Sequence, residues 1–86
     1  MTFAQAQAVI TQRCVPCHSA TPTQPGFPDP PFGIKFDKPE EIVVRAQQIN
    51  QQAVVQRTMP LGNLTNMTDQ ERDLIGAWVA AGAPGP

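Results

Sequence analysis

The sequence predicts a small all-α domain of three to five helices joined by long loops, and three observations carry that prediction. Apolar residues recur at three- and four-residue spacing in separate stretches, and no stretch alternates with the two-residue period of a strand. Most of the 10 prolines gather where neither period holds. A chain of 86 residues is one domain's worth, and residues 3–84 are read as that domain. A domain this short buries only about 60–65% of the surface its unfolded chain exposes, so the apolar core is thin and a further staple is expected.

Each element follows from local chemistry. Phe3, Ala6, Ile10 and Cys14 share one face of a first helix that runs straight into the cysteines. Between Ala20 and Pro39, six prolines (22, 25, 28, 30, 31 and 39) with Gly26 and Gly33 deny helix and sheet bonding, which makes a stiff wrapping loop. Phe27, Phe32, Ile34 and Phe36 give that loop four apolar anchors. Asp37 is the expected N-cap of the next helix, with Pro39 in its first turn and Glu40 and Glu41 at the positive end of its dipole. Ile42, Ala46 and Ile49 mark its buried face, and Asn50 either ends it or caps a second short helix through Val54, Val55 and Arg57. Gln47, Gln48, Gln51 and Gln52 read as a solvated face. Met59 to Asn63 is a loop. Thr68 and Glu71 form a capping box for a last helix that buries Leu74, Ile75, Trp78 and Val79 and stops at Gly82-Ala83-Pro84. Ala6 and Ile10 are expected to cross close to Trp78, small side chains against a large ring.

Composition excludes several function classes. With 41% hydrophobic and 15% charged residues and a net charge of −1, the chain folds rather than staying disordered. Six Lys+Arg against seven Asp+Glu leave no basic stripe for nucleic acid. The longest apolar stretch, Leu74 to Pro84, is far shorter than the roughly 20 residues a membrane-spanning helix needs. Met1-Thr2-Phe3-Ala4-Gln5 lacks the features of a secretory signal, so either a signal has been removed or the chain is part of something larger.

Cys14-Val15-Pro16-Cys17-His18 carries the chemistry. The cysteines are too close to close a useful disulfide loop. Their C-x-x-C-H spacing lets two thiols form thioethers to both vinyl groups of one haem, while the next residue offers an imidazole to the iron. Shuffling the same composition yields this pattern only about 3 times in 10,000. A structural zinc site needs four ligands and this segment supplies three; a thioredoxin-like dithiol needs a preceding strand, and none is predicted. With no second His and no Tyr, the opposite axial ligand falls to a Met thioether. Met59, in the loop before Pro60, has enough chain after His18 to return on the other face and is the preferred ligand. Met67, which is expected to pack back on the last helix, and an open site remain as alternatives. Lys35, Arg45 and Arg57 could meet haem propionates or simply be solvated.

A first helix ending in Cys14, Cys17 and His18, a Met-Pro loop carrying Met59, and a closing helix with Trp78 resemble the class I cytochromes c. The resemblance implies a small cytochrome c fold wrapped around one haem c, attached through Cys14 and Cys17, with His18 and Met59 as axial ligands. Its implied function is electron transfer rather than substrate turnover. More narrowly, residues from Phe3 to Pro84, including Arg13 to Pro22, Ala46 to Asn50 and Thr58 to Asn63, resemble the C-terminal cytochrome domain of the bacterial membrane-bound urate oxidases. That resemblance implies a membrane-bound urate-oxidising domain as electron donor and another cytochrome or a terminal oxidase as acceptor. It also implies a periplasmic location, tethered to the inner membrane through an N-terminal region. The rival reading is a haem with an open sixth site that binds ligands or acts as a peroxidase. Electrons are expected to leave through an apolar patch of Val15, Pro16, Pro60 and Leu61.

Overall fold

Helix α1 (Phe3–Arg13) begins where Thr2, in the extended region, turns its side chain back on the first turn. Thr2 Oγ1 accepts from the Gln5 N–H at 3.2 Å and Gln5 Oε1 accepts from the Thr2 N–H at 2.9 Å, a capping box that apolar spacing alone did not reveal. The structure, a computed structural model, describes residues 1–86. Phe3, Ala6, Val9 and Ile10 are the buried face of α1, and the Cys14 N–H closes the helix on Ile10.

Two short helices follow the proline-rich strap: α2 (Pro39–Val44) and α3 (Ala46–Ile49), separated by a break at Arg45 (φ −108°, ψ 17°). Asp37 does not cap α2. Pro39 forces the residue before it into an extended conformation, so the N-cap moves one residue on, to Lys38 (φ −114°, ψ 148°). Its N–H is met by the Glu41 carboxylate at 2.9 Å, while Asp37 accepts from the Ala20 N–H at 2.8 Å. Asn50 is the C-cap of α3, the first of its two expected roles, and it does not cap a new helix. It keeps helical angles, and the chain widens through it into a π-helical turn, Asn50–Val55. The strap itself holds on by Phe36, which is buried; Phe27 and Ile34 are half-buried, and Phe32 is 93% exposed, so the four expected anchors reduce to one full anchor and two partial ones. Phe32 stands at φ 56° inside the 3-10 turn Pro31–Gly33, which turns it away from the core. A second 3-10 turn, Leu61–Asn63, follows Met59-Pro60.

Helix α4 (Asp69–Ala80) has the expected capping box: Thr68 Oγ1 accepts from the Glu71 N–H at 3.1 Å and Glu71 Oε1 from the Thr68 N–H at 2.8 Å. It ends in a Schellman motif, in which the Gly82 and Ala83 N–H groups bond to Val79 and Trp78. Gly82 sits at φ 96°, where glycine alone is unstrained. Ile75, Trp78 and Val79 are buried as expected, but Leu74 is only half-buried and Arg72 takes a fully inward position.

The core lies where α1 packs on α4. Ala6, Ile10 and Trp78 are all buried within it, and Phe3 meets the Trp78 ring edge-on at 6.2 Å. The indole N–H donates to the Pro84 carbonyl at 3.0 Å, so Trp78 is buried without an orphaned donor. At the far end of the pair Arg13 bridges to Glu71 at 3.0 Å, and Thr65 Oγ1 donates to the Arg13 carbonyl at 2.7 Å. Burial would lift the Glu71 carboxyl, but the Thr68 N–H and the Arg13 guanidinium outweigh it and hold the group below its usual range. No helix is long and apolar enough to cross a membrane.

Gly76 brings α4 close to the π-helical turn, because a Cβ there would lie 3.1 Å from Val54 Cγ1. Gly76→Val should therefore cost about 1–3 kcal/mol by overpacking, whereas Ala77→Val on the exposed face should cost less than about 1 kcal/mol. Urea unfolding of the two variants checks the contrast.

Candidate functional site

The segment after α1 tightens at once. The N–H groups of Cys17 and His18 both bond to the Cys14 carbonyl, at 3.2 and 2.8 Å, which places His18 one turn beyond Cys14. The strap then fixes the imidazole. The Phe36 N–H donates to the His18 carbonyl at 2.9 Å, the Phe36 ring meets the imidazole edge-on at 5.3 Å, and His18 Nδ1 lies 2.9 Å from the Ile34 carbonyl. A carbonyl can only accept, so Nδ1 carries the proton and Nε2 keeps a free lone pair. Ser19 and Asp37 brace the same turn from behind. Ser19 Oγ accepts from the Thr21 N–H at 3.1 Å, and the Ala20 N–H with the Ser19 hydroxyl hold the Asp37 carboxyl below its ordinary 3.8.

Beside this turn lies a cleft with two lobes of about 240 and 200 Å³. Cys14, His18, Phe32 and Met59 line both lobes, and Cys17 lines the second. The structure thus brings all four sequence-predicted site residues to one cleft. Together the lobes fall within the ~300–1,000 Å³ of ligand sites. Ile34, Phe36, Ile49 and Ala53 wall the first lobe, with Gln48 and Gln52 among them. Gln47, Gln48 and Gln51 are exposed, as the sequence suggested, with Gln48 at the edge of the lobe, whereas Gln52 is half-buried against it. The π-helical widening reorients the residues after Ile49, which the regular helical period could not foresee.

Other candidates lie elsewhere. Met67 is buried in the α1–α4 core, its N–H and carbonyl both bracketed by the Asn63 side chain, and it lines neither lobe. Arg45 donates to Gln48 at 2.8 Å, Arg57 pairs with Asp69 at 3.4 Å on the surface, and Lys35 is likewise absent from the cleft lining. Of the expected docking patch, Pro60 and exposed Leu61 line the second lobe, but Val15 packs against the core and neither Val15 nor Pro16 lines the cleft. Phe27, Pro31 and Phe32 complete that apolar rim instead.

Met59 is held through its backbone. Its N–H donates to the Gln52 carbonyl at 3.1 Å, and its carbonyl accepts from Arg72 Nη1 at 2.9 Å. The same Arg72 nitrogen donates to the Ala53 carbonyl. Sequence reasoning missed Arg72 because an Arg is assigned to solvent by default. Its three- and seven-residue spacing to Ile75 and Val79 on the buried face of α4 was the available signal.

Both cysteines are free thiols. Burial, with Cys17 nearby, pushes Cys14 up to about 12 against the opposing pull of Arg72, and burial also raises Cys17. They stay protonated at neutral pH, unlike the thiolates of a redox dithiol. Nor do Cys14, Cys17 and His18 converge as a three-ligand cluster, and no other His, Cys, Asp or Glu residues do.

No family model matches the chain, and neither a curated protein nor a solved structure matches it.

The brace behind His18 has a pH signature. Because the folded Asp37 carboxyl titrates below its ordinary 3.8, its contribution is fully present above that value and is lost as pH falls through the lower folded value. Asp37→Ala should lower Tm at about pH 6, and the difference from the parent should fade on acidification. A difference that persists where the carboxyl is protonated would contradict this.

Proposed function

We propose that the chain holds one haem c in the cleft and carries single electrons. The observation that supports this most is His18: its Nδ1–H is spent on Ile34, its Nε2 lone pair is free, and it shares a cleft with two thiols and one thioether. Metal-ligating histidines almost always donate their other N–H in this way, which fixes the tautomer and raises the basicity of the ligating nitrogen. The donor set fits the group. Cys14 and Cys17 would attach it as their S–H bonds add across its vinyl groups, which needs protonated thiols and no oxidant. His18 and Met59 would ligate the iron, through a nitrogen and a thioether sulfur.

When bound, the haem supplies a one-electron ferric/ferrous couple. The residues around it do the rest. Ile34, Phe36, Ile49 and Ala53 keep water from one wall of the cleft, and that apolar shell disfavours the more positively charged state and so raises the potential. The imidazole is gripped by the strap and the Met59 backbone by two hydrogen bonds, so both side chains are presented to the cleft from fixed anchors. The thin core leaves room for a large apolar group to complete it, because only 15 of 86 residues are buried. By resemblance, we propose a linked membrane-bound urate-oxidising domain as donor, another cytochrome or a terminal oxidase as acceptor, and a periplasmic location.

The chain expressed with haem-maturation machinery should give a pyridine haemochrome spectrum of one c-type haem per chain. Cys14→Ala with Cys17→Ala should abolish it and leave the chain largely unfolded. Met59→Ala should remove the red charge-transfer band of the ferric protein and lower the potential, while Met67→Ala should leave both nearly intact. The opposite ranking would exclude Met59 as the ligand.

A further inference from the structure

Arg72 is almost fully buried, at 6% exposure, yet no carboxylate pairs with it; the two ion pairs of the molecule are Arg13–Glu71 and Arg57–Asp69. Desolvating a guanidinium without a counter-charge is costly, so its hydrogen bonds must offset the loss. Both go to backbone carbonyls through one nitrogen, to Ala53 in the π-helical turn and to Met59 in the loop. The Met59 carbonyl has no other donor. On its other side the Met59 N–H is tied to Gln52, the neighbour of Ala53. Both ends of residue 59 are therefore fastened to the same two adjacent residues, once directly and once through Arg72.

We propose that Arg72 is a positioning residue for Met59, holding its backbone against the π-helical turn so that the thioether stays on the cleft. The role of the thioether as an iron ligand rests on the haem-binding reading above; the tethering of the loop does not. The charge-assisted bond explains why α4 carries Arg rather than an aliphatic residue at this inward position. Arg72 also acts on Cys14, where its charge opposes the upward push on the thiol, so it stands within electrostatic reach of the cleft.

The test compares three variants of the full chain made with haem-maturation machinery. Arg72→Met keeps an apolar stem and removes the donors, Arg72→Lys restores a cation with donors, and Ile75→Val loosens α4 without touching the loop. At equal haem content, Arg72→Met should lose at least half of the ferric charge-transfer band and speed hydrogen exchange at the Met59 amide by about tenfold over Ile75→Val. Arg72→Lys should recover most of both. An intact band with Met59 protection equal to that of Ile75→Val would overturn the proposal. A parent chain that takes up no haem would overturn the electron-transfer reading instead. The exchange comparison then decides on Arg72 by itself: about tenfold faster exchange sustains the tether, and equal exchange rejects it.

Discussion

The packing of α1 on α4 is the constraint from which the rest of the molecule hangs. With 15 buried residues there is one small core, centred on Phe3, Ile10, Ile75 and Trp78. Both segments that carry the candidate site residues are attached to this pair. The Cys14 to His18 turn leaves the end of α1, and the Met59 loop is held by Arg72 from the first turns of α4. Arg13 joins the two helices at that same end through Glu71 and Thr65, so the cleft opens where the pair is clamped most firmly. The strap contributes no helix to the core and acts locally, on the carbonyl and imidazole of His18.

What could be read in the sequence is what local chemistry decides. The Thr68–Glu71 box, the Gly82 stop and the inward Trp78 follow from capping and periodicity, and the structure has all three. The four candidate site residues also reach one cleft, although they lie on two segments 41 residues apart between His18 and Met59. Capping at Asp37 failed by one residue, because the restriction that Pro39 places on Lys38 outweighs the preference for an acidic cap. Gln52 was misplaced because nothing in the residue pattern announces a change from α to π geometry. Arg72 shows a different limit. Its inward position is periodic, but its partners are carbonyls of distant segments, and carbonyls carry no residue identity to read.

The polar groups around the cleft are already paired. No buried side-chain nitrogen or oxygen lacks a hydrogen-bond partner. The thiols are held protonated by burial, and the His18 tautomer is set by Ile34 before any ligand arrives. The rim beside the second lobe is formed by Phe27, Pro31, Phe32, Pro60 and Leu61, a largely apolar surface in a chain of net charge −1. On the proposed electron-transfer role, such a rim would suit small, quickly dissociating contacts, and long-range steering by salt-sensitive forces would be weak.

The central proposal is that the His18 imidazole and the Met59 thioether would both ligate one haem iron in both oxidation states. X-ray absorption at the iron edge, recorded on oxidised and reduced protein, tests it most directly. One sulfur neighbour beside nitrogen donors in both states, lost in Met59→Ala, is the predicted result. Iron without a sulfur neighbour, or a sulfur that leaves on reduction, would contradict it.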